Sequence, residues 1–254
     1  MKKRKAGIVI FVIVLIITAV RIKSMDSHRI SGRILAENIA GPGMLRLVEQ
    51  SMQARARKTS VTEIAVKERK YPQAALTFDD GPDIRYTPLL LDGLKERNVR
   101  VSFFLLGEKV EQYPELVERM QKEGHLVGNH TYHHVQLNKL NETKAREEIL
   151  KTNNLIYETT GVYPLYLRPP FGAWKKNLEL CVEMLPVFWT IDTLDWKVQN
   201  TEKIVRTVQE QIEDGAIILM HDEYDTSVEA ALQVVDELKN QGYELVTVDR
   251  LILP

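Results

Sequence analysis

Apolar residues recur along most of this chain in two alternating periods. Short apolar runs at Ala74 to Phe78, Val101 to Leu105, Leu126 to Gly128, Tyr166 to Arg168, Val187 to Thr190, Ala216 to Met220 and Glu244 to Thr247 read as strands. Between them, apolar positions fall three and four apart at Thr87 to Arg97, Pro114 to Glu123, Glu142 to Thr159, Trp174 to Glu183, Glu202 to Glu213 and Ser227 to Gln241, which predicts amphipathic helices. Strand and helix in turn predict an α/β fold, either a mainly parallel sheet or a barrel with helices outside. Both forms carry their ligand sites at the C-terminal ends of the strands.

Before Tyr71 the pattern is different. Lys2, Lys3, Arg4 and Lys5 precede an uncharged, mostly apolar run from Ala6 to Val20, closed by Arg21 and Lys23, the layout of a secretory signal or a membrane anchor. The run is about 22 Å long as a helix against a hydrocarbon core of about 30 Å, a gap that snorkelling Lys and Arg can close. Ile17 to Arg21 is a poor cleavage site, so an uncleaved single-pass anchor with the remainder outside the cytoplasm is favoured over secretion after cleavage. Residues 1–23 are thus expected to be the anchor or signal. Residues 24–70 are expected to form a stalk, with a helix at Met44 to Ala56 and an edge strand at Ser60 to Val66, and 71–254 the main domain.

Composition narrows the classes. With 254 residues, 44% hydrophobic and 27% charged, the chain can bury a core, and a net charge of -1 offers no basic field to nucleic acid. Cys181, the single cysteine, has no internal disulfide partner and sits among Leu178, Leu180, Val182 and Met184 as a core thiol would.

The polar residues that interrupt the pattern cluster just after the strands. Asp79 and Asp80 end the first apolar run, and Gly81-Pro82 then breaks it. Neighbours on a strand point to opposite faces, so a turn at Gly81 is needed to bring both carboxylates to one rim. His130 and His134 are four apart, a chelating spacing on one helical turn, and His133 reads as a bystander or as a group supporting them from behind. Arg168-Pro169-Pro170-Phe171-Gly172 presents Arg168 on a stiffened loop; Asp192-Thr193-Leu194-Asp195-Trp196 pairs two acids with an aromatic wall for a sugar; Leu219-Met220-His221-Asp222 sets an imidazole at a strand exit. Singly, each passes for a turn, a cap or a core residue. Five at strand ends point to one active site.

Together these segments, with Thr77-Phe78-Asp79-Asp80-Gly81-Pro82 and His130-Thr131-Tyr132-His133-His134, resemble the polysaccharide deacetylases of the NodB-homology, carbohydrate esterase family 4 type, in family order and from about Tyr71 to the C-terminus. The resemblance implies a distorted, incomplete (β/α) barrel that removes N-acetyl groups from an amino-sugar polymer. Asp80, His130 and His134 would then bind a divalent metal, zinc first, with cobalt or nickel suiting the same ligands. Asp79 would be the general base, Arg168 the cation holding it ionised, His221 the general acid and Asp195 its orienting carboxylate. The Phe171 backbone N–H would stabilise the oxyanion, and Trp196 and Leu219 would line the acetyl pocket; Asp192 receives no role. Many members carry Tyr where this chain has Phe171, which leaves a backbone role intact. The expected partners are an N-acetylated glycan, peptidoglycan N-acetylglucosamine before chitin, and the membrane, with no protein partner. Two rivals are a non-haem iron oxygenase, which has no need of Asp79 or His221, and a tethered glycan-binding protein without turnover.

Overall fold

The computed structural model describes residues 70–174 and 184–252. The anchor expected at 1–23, the stalk up to residue 69 and all but the first residue of the helix expected at Trp174 to Glu183 lie outside these residues. No helix among them is long and apolar enough to cross a membrane.

Eight strands form one sheet, and every pairing in it is parallel: β1 Gln73–Asp79, β2 Ser102–Leu105, β3 Leu126–Asn129, β4 Tyr166–Leu167, β5 Leu185–Pro186, β6 Ile191–Asp192, β7 Ala216–His221 and β8 Glu244–Leu245. Their order is β5-β4-β3-β2-β1-β7-β6, with β8 beside the start of β1. The helices are α1 Tyr86–Glu96, α2 Gly107–Gln112, α3 Pro114–Lys122, α4 Glu142–Thr160, α5 Asp195–Val198, α6 Thr201–Gln211, α7 Asp225–Asn240 and α8 Val248–Ile252. Sequence supplies the stops. Asn141 and Asn200 accept the backbone N–H of Lys144 and Lys203 at the starts of α4 and α6, and Gly161, at φ 72°, ends α4.

Period-two alternation sorts β1 and β7 into two faces. Leu76, Phe78, Ile218 and Met220 face the helices and pack with Leu90, Leu94, Val234 and Val235, all buried. Full burial of each such Leu or Phe contributes about 1.5–3 kcal/mol. The register pairs Thr77 with Leu219 and Asp79 with His221, so these four look toward the other, inner face, shared with the Ala75, Phe104, Tyr166, Val187 and Val248 cluster.

The sheet curls. Seven strands abreast at about 4.8 Å would be about 29 Å across. Yet β5 and β6, at opposite ends of the order, are joined by only Val187 to Thr190, which reach at most about 17 Å. These four residues were expected as a strand. Instead they bridge the open side, with the Val187 N–H donating to Leu167 O at 2.8 Å and the Thr190 N–H to Ile217 O at 2.9 Å. The segment continues the β4 pairing at its start and begins the β7 pairing at its end, so it crosses from one strand to the next and does not form one of its own. The result is the distorted, incomplete barrel that the family resemblance implied.

His125, 4% exposed before β3, accepts the Val101 N–H on Nδ1 at 3.1 Å and meets the Phe103 ring edge-on. Burial is the main cause that pushes its pKa down from 6.5 to about 4, opposed by Glu123 and helped by Arg100 and Arg119. The folded state therefore binds the proton later than the unfolded state as pH falls, so the contribution is intact above pH 6.5 and is lost progressively toward pH 4, by about 3 kcal/mol. His125→Asn keeps an acceptor for Val101 but cannot titrate. The wild-type minus variant difference in urea unfolding free energy should shrink or reverse between pH 7 and 4; a constant difference would refute the assignment.

Candidate active site

All the candidate polar side chains gather at the C-terminal rim of the central strands, because every strand runs the same way. At the end of β1, Asp79 is 3% exposed and Asp80 adopts φ 69°, a left-handed conformation that Asp tolerates better than most residues. That backbone state, at Asp80 rather than at Gly81, brings neighbouring carboxylates to one rim. The Gly81-Pro82 peptide that follows is cis.

His130 and His134 approach Asp80 from the loop after β3. Each Nε2 lies 3.4 Å from Asp80 Oδ1. The expected helical turn is absent: residues 130–134 form a loop in which Thr131 and His134 have φ of 67° and 54°. Both imidazoles still face one point, their centroids 5.1 Å apart. The carbonyl of Arg168 can only accept, so His130 Nδ1 donates to it at 2.7 Å, which leaves Nε2 as the ring nitrogen turned toward Asp80.

This arrangement fits a cation. Asp80 Oδ1 is buried and accepts no hydrogen bond, although two imidazole nitrogens face it. The three donor atoms lie within 4.8 Å of one another, and metal bonds of about 2.0–2.1 Å at tetrahedral angles place ligand atoms about 3.3 Å apart. Burial pulls the Asp80 pKa upward, but His130, His134 and His221 together hold it below the usual carboxylate range, and burial lowers that of His134 against the pull of Asp80. The set suits a divalent metal with positions left open.

Asp79 has different company. Arg168, with no exposure, donates from Nη1 to Asp79 Oδ1 at 2.8 Å and to Thr77 Oγ1 at 2.6 Å, while Thr77 donates to Ile218 O at 2.7 Å. The guanidinium also lies 4.3 Å from the Phe104 ring centroid. The other Asp79 oxygen is 3.7 Å from His130 Nε2. Across the rim, His221 donates from Nδ1 to Asp195 Oδ1 at 2.8 Å and from its backbone N–H to Asp195 Oδ2 at 2.8 Å; its Nε2 is 3.9 Å from Asp80 Oδ2. Burial opposes charging of His221, but the Asp195 hydrogen bond and the charges of Asp195, Asp79 and Asp80 outweigh it and push the pKa up to about 9.

The seven residues expected to do chemistry thus meet. Phe171, at φ 60° and largely exposed, sets its ring 4.5 Å from that of His134. Trp196, half exposed on α5, is not a core residue, and Leu219 is buried on the inner face of β7. Asp192 accepts the Leu194 N–H at 3.0 Å and so shapes the turn before Asp195.

Four contributors had no role in the sequence reading. Thr77, two before Asp79, shares its strand face, a signal that period two could have supplied. Glu148 holds the histidine loop from sixteen positions away, which no local spacing announces, whereas Asn129 accepts the N–H two residues on, an Asx turn that local sequence could have suggested. Asp222 is fully buried, accepts the Thr87 hydroxyl and, chiefly through burial, has its pKa pushed up to about 7. Its carboxylate abuts Gly81, where an added Cβ would lie 2.5 Å from Oδ1.

The family profile described as polysaccharide deacetylase matches residues 67–188. The peptidoglycan-N-acetylglucosamine deacetylase PgdA of Listeria monocytogenes is 42% identical over 185 residues, 73% of this chain and 40% of that protein. The peptidoglycan-N-acetylmuramic acid deacetylase PdaC of Bacillus subtilis is also 42% identical, over 70% of this chain and 38% of that protein. This chain therefore spans about two fifths of the length of either relative. A solved structure of the Bacillus subtilis peptidoglycan deacetylase PdaC superposes with a TM-score of 0.70 at 41% identity, covering 72% of this chain and 91% of that one. The chain belongs to the polysaccharide deacetylase family.

Gly81→Ala should destabilise the fold by about 1–3 kcal/mol through the clash with Asp222. In an Asp222→Ala background the same change should cost little. Additive losses in that denaturant cycle would show that the Gly81 and Asp222 contact is not the constraint.

Proposed function

We propose that this chain is a metal-dependent N-deacetylase of an exported amino-sugar polymer, peptidoglycan N-acetylglucosamine before other glycans, releasing acetate. One observation carries the reading: adjacent carboxylates divided between two tasks, Asp80 facing two imidazole nitrogens and Asp79 paired with a buried arginine. The substrate class rests on the names of the relatives. A glucosamine and a muramic acid deacetylase are equally identical to this chain, so the sugar is decided only by assay. The outward location and the anchor rest on the charge and apolar pattern of residues 1–23.

Asp80, His130 and His134 would hold the metal, zinc before cobalt or nickel, and bound there it would polarise the acetyl carbonyl and acidify water. Asp79 takes the proton of the attacking water as the new carbon–oxygen bond forms, and the hydrogen bond from Arg168 aims its carboxylate for that purpose. The Phe171 N–H is assigned to the oxyanion, and Trp196 and Leu219 to the acetyl methyl. His221, charged and aimed by Asp195, protonates the amide nitrogen as the carbon–nitrogen bond breaks, leaving acetate and a free amine. An oxygenase or a binding module without turnover has no use for this acid and base pair.

Acetate release from N-acetylglucosamine oligomers and from purified peptidoglycan, with metal added, tests the reading. Asp79→Asn should abolish release and leave metal content near one per chain, whereas Asp80→Ala should lose both; equal metal loss in the two would reject the division of roles. Because His221 must be protonated to act, rate should fall as pH rises through its raised pKa, and Asp195→Asn should move that alkaline limb to lower pH. An unmoved limb would remove Asp195 from its role.

A further inference from the structure

The metal-facing loop is held from outside the site by a carboxylate on a helix. Glu148 lies in the second turn of α4, and its Oε2 accepts the backbone N–H of Tyr132 at 3.0 Å and of His133 at 2.9 Å. Its Oε1 accepts His133 Nδ1–H at 2.8 Å. Both amides lie between the two imidazoles that face Asp80, and the residues bracketing them, Thr131 and His134, have positive φ. A β-branched residue in that state persists only when its surroundings over-determine it.

Other contacts show how completely this is done. Asn129 Oδ1 accepts the Thr131 N–H at 2.7 Å, while its Nδ2 donates to Ile149 O and Asn153 Oδ1, both on α4. From the opposite side the N–H groups of Gly107 and Glu108, at the start of α2, donate to the carbonyls of Thr131 and Tyr132. Gly107 permits this approach, since a Cβ there would lie 2.4 Å from the Tyr132 ring. The Tyr132 hydroxyl donates to Glu111, and Lys151 lies over the Tyr132 ring. Among these holds, Glu148 alone takes two consecutive loop amides on one charged oxygen, and charge-assisted bonds of this kind are the stronger ones.

We propose that Glu148 is a positioning residue that fixes the relative placement of His130 and His134, and so sets the affinity and geometry of the metal site. The reading rests on the metal-binding role proposed for Asp80, His130 and His134. In this account His133 is a handle by which Glu148 grips the loop, and its backbone N–H matters more than its ring.

The test is zinc affinity by chelator competition on the folded protein, with the visible absorption of the cobalt-loaded form as second readout. Glu148→Ala should weaken zinc binding about tenfold or more and change the cobalt bands, as losing a support behind metal ligands does. Glu148→Gln, which keeps an acceptor for both amides, and His133→Ala, which spares them, should stay within about threefold of wild type. Glu148→Asp retains the charge but falls short of the loop; it should weaken zinc binding, and it serves if the alanine variant does not fold. Wild-type affinity and an unchanged cobalt spectrum in Glu148→Ala or Glu148→Asp would make Glu148 a merely structural residue and overturn the proposal. So would a loss in His133→Ala equal to that in Glu148→Ala. Failure of the wild-type chain to bind zinc or cobalt at all would instead strike the proposed function itself.

Discussion

One buried guanidinium joins the two halves of this site. Arg168 carries no exposed surface, bonds Asp79 and Thr77 through Nη1, and through its own carbonyl fixes the proton of His130 on Nδ1. A charge so deep is tolerated only with a partner, and removing one member of such a pair typically costs about 3–5 kcal/mol because the other is left unpaired. Burial pulls the Arg168 pKa down and Asp79 pulls it up, yet an arginine begins so high that it stays charged. The side chain fixes the Asp79 carboxylate while the main chain fixes the His130 imidazole. The proposed base and one proposed ligand are therefore held by the same residue.

The fold makes that economy possible by strand order. β1 is the hub: β2 and β7 flank it, and the strands that carry His130, Arg168 and His221 follow outward on either side. Parallel strands put every exit at one rim, and period two sends Thr77, Asp79, Leu219 and His221 to the inner face while Leu76, Phe78, Ile218 and Met220 take the helices. Apolar burial on one face thus holds polar chemistry on the other. The side chains that aim the ligands, Glu148 and Asn129, reach in from behind the loop and belong to its support.

Much of this was legible before any coordinates. Strands with several buried apolar residues, such as Ala74 to Phe78 and Ala216 to Met220, stood out within a residue or so of their ends, as did α4. Val187 to Thr190 misled because apolar content does not by itself mark a strand: only Val187 is buried, Phe188 is exposed, and the four residues cross from β5 to β6. The short helices α2, α5 and α8 went unseen: four to six residues cannot display a period, and what fixes them is tertiary contact. The spacing of His130 and His134 named the right pair for the wrong reason, since a loop with two left-handed residues brings them together. Thr77 was within reach of strand alternation, whereas Glu148 stands fifteen or more positions from what it holds and leaves no local mark.

The four-residue bridge across the open side bears unequally on the parts of the centre. Arg168 follows β4, the neighbour of edge strand β5, and Asp195 follows edge strand β6, so the groups that hydrogen-bond Asp79 and His221 both stand beside the seam. Arg168 even touches it, Nε donating to Val187 O at 3.4 Å. Asp80 and His130 hang on interior strands, well inside either margin. Because Arg168 nonetheless holds His130 through its carbonyl, a change in the length or rigidity of that seam would be felt at the Asp79 and His221 pairs and at one imidazole of the proposed metal set, so the open side of the barrel is tied to the whole centre.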